Sequence, residues 1–166
     1  FWDKRKCFDR FLHEITCPLM RALGASAAFV RAEEAKADSY QRFLKVGRMI
    51  GHMYPFTNAE PQGSAVTVLK AILLFGILAQ CIATCTPSMT MAIFLDDTAM
   101  EEEDPAPHPS GMPIAIEQVL LFDELAGQRT NWTKTKRWAT APHLRTQMAQ
   151  WLPDAEEVSD AKALGI

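Results

Sequence analysis

The sequence predicts an all-α fold, with a single transmembrane helix flanked by amphipathic helices and an acidic extended linker. Three observations lead there. Residues 71–94, AILLFGILAQCIATCTPSMTMAIF, hold no charged side chain, and Lys70 and Asp96 bracket 25 uncharged residues. Elsewhere apolar residues recur at spacings of three and four, which draws stripes along helices. No run of useful length alternates apolar and polar residues as a half-buried strand would.

Composition bounds the function less than it bounds the location. The 166 residues suffice for one domain, or for one span with two modest flanks. Hydrophobic residues make up 48% and charged residues 22%, an ordinary soluble average that hides a segregated charge. With a net charge of −3 there is no uniformly basic surface, so nucleic acid is not expected as a partner.

In chain order, residues 1–64 form an amphipathic helical region. Its first helix, over 7–23, carries Phe8, Phe11, Leu12, Ile15, Leu19 and Leu23 on one stripe, with a kink or restart expected at Pro18. A second helix is expected over 27–53, with Phe29, Tyr40, Phe43, Leu44, Val46, Met49 and Ile50 as its apolar members. The two lie on a membrane face or a partner, or pack on each other. Two Pro, one Gly and an Asn make 54–64 a loop.

Residues 65–95 form the transmembrane segment. As a helix, 71–94 would reach about 36 Å, enough to cross a hydrocarbon core of about 30 Å. Gly76, Ala79 and Ala83 are small enough to admit a neighbouring helix closely, Gln80 is placed to hydrogen-bond across to it, and Lys70 to snorkel to the interface. Thr84, Thr86, Ser88 and Thr90 carry hydroxyls that a span tolerates, and Pro87 kinks a helix. The competing reading is a core helix of a soluble protein, ending at Cys85 before a turn at Thr86 and Pro87.

Residues 96–112 are an acidic, Pro-containing linker, expected to be extended and solvated. Within the helical tail, 113–166, one helix starts at Pro113 and stops at Gly127, and another carries Leu144, Met148, Trp151 and Leu152. Between them QRTNWTKTKRW gathers Trp132 and Trp138 with Lys134, Lys136 and Arg137, a set suited to a membrane surface or an acidic partner.

Up to Lys70 there are 11 Lys plus Arg against 7 Asp plus Glu; after residue 94 the counts are 6 and 13. Orientation follows the basic residues, which puts the N-terminal flank on the matrix or stroma side and the C-terminal tail in the intermembrane space or lumen.

No catalytic, cofactor-binding or metal site is expected. Nine residues separate Cys7 from Cys17, as in the twin Cys motif of intermembrane-space helical hairpins, but a second such pair is missing, because only three separate Cys81 from Cys85. Buried, reduced thiols are expected instead. His13 and Cys17 share a metal-binding spacing without further ligands, and His52 lacks a haem partner. The carboxylates from Glu101 to Asp104 read as a solvated run, and no serine stands in a nucleophile elbow. Asn131, Trp132 and Thr133 form a sequon that matters only in a secretory lumen.

A span without relay or ligand anchors or packs. The expectation is a non-catalytic accessory subunit of a multi-subunit organellar membrane complex, foremost a mitochondrial inner-membrane respiratory-chain complex with the N-terminus in the matrix. Its layout is similar to that of cytochrome oxidase subunit four and of several small complex I subunits. Other subunits and lipids are the expected partners, with no small-molecule substrate. A small single-pass thylakoid photosystem subunit is the alternative, and a soluble helical binding module with 71–85 as core helix is the alternative of a different class.

Overall fold

The computed structural model describes residues 1–55, 64–102 and 111–159. The all-α expectation fails. The fold is mixed, 52% helical and 21% strand, with five α-helices and six strands in three small sheets among the described residues. The chain forms two compact units: Phe8–Leu74, and Phe1–Cys7 together with Phe75–Ile166. The division falls inside the long apolar helix.

In the first unit α1 (His13–Ala22) and α2 (Ala27–Ser39) pack together. Pro18 does not restart α1; at the sixth helical position it removes one bond, to the carbonyl of Glu14. Gly24, at φ +93°, closes the helix in the left-handed conformation, with Ala25 N donating to Met20 O at 2.9 Å and Gly24 N to Arg21 O at 3.1 Å. Ser26 then caps α2, its hydroxyl accepting from Phe29 N at 3.2 Å. Cys17, Met20 and Val30 are buried between the helices, with Ala25 and Leu73 against them.

The helix expected over 27–53 ends at Ser39. Two strands follow, β1 (Gln41–Val46) and β2 (Met49–Pro55), paired antiparallel about a two-residue turn at Gly47 and Arg48. Gly47, at φ +59°, supplies the positive φ such a turn requires at its first position. The apolar residues assigned to a helix face, Phe43, Leu44, Val46, Met49 and Ile50, lie on this hairpin.

Ser64 leads into α3 (Ala65–Cys85), whose 21 residues extend about 32 Å. The uncharged stretch does not continue as helix. Thr86 accepts from Met89 N and donates its own N–H and hydroxyl to Ile82 O, at 2.8 and 2.7 Å, before Pro87 prevents continuation. Residues 89–94 are instead β3 (Met89–Phe94), antiparallel to β4 (Asp97–Glu102). The first part of the expected acidic linker is therefore a paired strand; 103–110 lie outside the described residues, as do 56–63 of the expected loop.

The second unit also holds α4 (Gly111–Leu125), against the β3–β4 hairpin, then β5 (Lys136–Arg137), α5 (Pro142–Trp151) and β6 (Glu156–Glu157), which runs parallel to β5. The N-terminal segment threads through this unit. Trp2 exchanges backbone bonds with Thr98 of β4, at 2.7 and 3.0 Å, and Asp3, Lys4 and Arg5 pair with residues 129–131.

Candidate functional site

Two features stand out: an outward apolar face on α3, and a buried polar clasp around the N-terminal segment. Along α3 the buried positions are Thr67, Lys70, Ala71, Leu74, Phe75, Leu78 and Ile82, a stripe of helical period. In the second unit Phe75 meets the ring of Phe122 at 5.5 Å, and Cys81 Sγ donates to Gln118 Oε1 at 3.1 Å. The opposite face is bare, with Ile72 58% and Ile77 47% exposed, and Val68 and Leu69 beside them.

The small residues lie on this bare side. Gly76 is exposed, with no atom within 4 Å of where a Cβ would stand; Ala83 is exposed and Ala79 half-buried. Gln80 Nε2 donates to Thr84 Oγ1 at 3.4 Å, one turn along its own helix. Lys70 does not snorkel to an interface. Its side chain is fully buried, with Nζ 3.3 Å from Glu33 of α2, whose other oxygen is 3.5 Å from Lys36 Nζ. Pairing turns the only charge of α3 toward protein, and its outer face stays uncharged.

In the clasp, Lys4 Nζ pairs with Asp123 Oδ1, its side chain wholly removed from solvent. Asp123 Oδ2 accepts from Thr130 Oγ1 at 2.7 Å, and Thr130 Oγ1 accepts from Trp2 Nε1 at 2.7 Å. The rings of Trp2 and Phe122 lie 5.8 and 5.9 Å from the ammonium. Burial pushes the Lys4 ammonium below its ordinary range, and Asp123 beside it pulls back. Burial also drives the Cys7 thiol up, with Asp96 adding to it, so the thiol stays protonated and a poor nucleophile. The clasp fastens the N-terminal segment.

The basic aromatic cluster is dispersed through the same unit. Trp132 lies against Trp2, ring centroids 5.6 Å apart. Arg137 donates to Leu152 O and reaches Glu157 at 3.5 Å. Lys136 bonds the backbone of Phe1 through its own backbone and, like Trp138, is half-buried; Lys134 is exposed. Asn131 Nδ2, the atom a glycan would occupy, donates to Asp3 Oδ2 at 2.6 Å.

Cys7 and Cys17 are buried thiols. Among the described residues no three His, Cys, Asp or Glu side chains converge to hold a metal ion. The residues that sequence reasoning missed are Trp2, Lys4, Asp123 and Thr130. Nothing local marks them, because Lys4 and Asp123 are 119 positions apart. No family model matches the chain, and no curated protein is similar to it.

Proposed function

We propose that this chain is a non-catalytic accessory subunit of a multi-subunit membrane complex, docked through the outer face of α3 against lipid and neighbouring subunits. The observation that carries the proposal is the bareness of that face. The most apolar window of α3 is only 39% buried, and its exposed side runs through Val68, Leu69, Ile72, Gly76 and Ile77 without a charge. Water is a poor solvent for such a surface, at about 25 cal/mol for each Å² left uncovered. The Glu33–Lys70 pair keeps the charge of the helix on the protein side, which supports the same reading.

The setting we propose is the mitochondrial inner membrane, in a respiratory-chain complex, with the basic N-terminal flank on the matrix side. Its support is the asymmetry of 11 basic residues up to Lys70 against 6 after residue 94. A soluble binding module is the second reading. It is favoured by the buried stripe from Ala71 through Leu78 to Ile82, which serves as core on one side of the helix.

Carbonate extraction of native membranes, followed by native-gel migration and mass spectrometry of the band, separates the two. Retention in the pellet and a large band containing respiratory subunits are expected. Release by carbonate with migration as a small species would overturn the membrane reading in favour of the soluble module.

A further inference from the structure

The hairpin of β1 and β2 is exposed on both faces. Its pairs are Phe43 with Met53, Lys45 with Ile50 and Val46 with Met49. The register shifts between Phe43 and Lys45, and on the turn side of that irregularity the pairing puts Lys45 and Ile50 on one face and Val46 and Met49 on the other, while Phe43, Leu44 and Met53 lie at or beyond it. The six apolar members of this set are between 54 and 73% exposed. Among the described residues each strand pairs only with the other, and a two-stranded ribbon of this kind is marginal in water. The segment also carries Arg42, Lys45 and Arg48 and no carboxylate.

We infer that this hairpin docks into the headgroup layer of an anionic lipid bilayer. A protein groove would cover one face of the ribbon and leave the other in water, whereas a lipid interface surrounds a tip that is apolar on both. The exposed cations Lys45 and Arg48 complement anionic headgroups. Depth is limited by the backbone. Among the described residues neither edge of the ribbon pairs with a further strand, hydrocarbon does not tolerate open strand edges, and β2, with 7 residues, reaches only about 23 Å. The tip from Val46 to Ile50 therefore rests at the interface, where water still reaches the edges. This contact is independent of the role proposed for α3.

The test is flotation of the full chain with phosphatidylcholine vesicles, with or without about a third phosphatidylserine. Lys45→Gln with Arg48→Gln is expected to weaken binding to the anionic vesicles by about thirtyfold, roughly fivefold per cation, and to leave binding to the neutral vesicles unchanged. High salt is expected to bring the wild type down to the variant. Met49→Ser with Ile50→Ser weakens binding to the anionic vesicles at every salt concentration. All four side chains are exposed, so far-UV circular dichroism should match the wild type.

Equal binding of wild type and both hairpin variants to anionic vesicles overturns the inference. So does unchanged vesicle binding combined with loss of either variant from the native complex, which would assign the hairpin to an acidic protein. Ile72→Lys, on the bare face of α3, serves as the separate control. A loss confined to that variant leaves the α3 reading standing and removes this one; a loss confined to the hairpin variants does the reverse.

Discussion

Lys4 and Asp123 form a buried ion pair across 119 residues of chain, and the second carboxylate oxygen of Asp123 accepts from Thr130 at 2.7 Å. The pair ties the N-terminal segment to α4, and Thr130 ties both to the indole of Trp2. Each partner neutralises a charge that burial would otherwise make costly.

Removing one partner should therefore cost more than removing both. Lys4→Met leaves the Asp123 carboxylate, 9% exposed, without its cation, and should lower stability by about 3–5 kcal/mol. Lys4→Met combined with Asp123→Leu should recover most of that loss. Urea denaturation of the single and double variants measures the coupling, and strictly additive losses would show that the pair is not coupled.

Glu102 caps α4 from outside the helix. Its two oxygens accept from Gly111 N at 2.5 Å and Met112 N at 3.1 Å, where the helix end also favours negative charge. Glu102→Ala should cost about 1–2 kcal/mol and Glu102→Gln less, because the amide still accepts a bond. Gly111→Ala should also destabilise. An added Cβ would stand 3.1 Å from Met89 Cγ and Ser88 Oγ, leaving the cap no room. Thermal denaturation of the three variants orders these effects; equal losses for Ala and Gln at position 102 would refute the hydrogen-bonding account.

Asp97 is held above its ordinary carboxylate value of 3.8 by burial, then by Asp96 and Asp3, with Lys134 opposing. The folded state thus binds this proton more tightly than the unfolded chain does. Its contribution favours the fold at acid pH and is lost as pH rises from 3.8 through the raised folded value. Asp97→Asn should accordingly raise the melting temperature at pH 7, with the advantage shrinking toward pH 3.5. The same gain at both pH values would mean that the substitution acts through packing.

The helices that their punctuation marks were legible in the sequence. Gly127 lies just beyond the end of α4, whereas Pro87, just beyond α3, suggests only a kink in the span expected over 65–95 and in the structure ends the helix. The hairpins were not. A strand announces itself through polar and apolar alternation, and β1 and β2 place apolar residues on both faces, which removes the signal and leaves spacings that imitate a helix. For β3, lack of charge suggests continuation of the span, although Thr86 and Pro87 close the helix. The clasp was illegible for the opposite reason, since its members meet only through tertiary folding.

The threading of Trp2 and Lys4 between distant segments has a consequence for biosynthesis. Trp2 bonds a hydroxyl 128 residues downstream. At about 5–20 residues per second, that partner is translated roughly 6–26 s after the tryptophan. Throughout that interval an indole and an unpaired ammonium wait outside the ribosome, near an apolar helix that emerges before either has a partner. The unit that encloses Trp2 and Lys4 depends on partners made well after them, so a chain interrupted before Thr130 cannot close it. Such a nascent chain needs a holding factor, or a membrane nearby, until the final strands arrive.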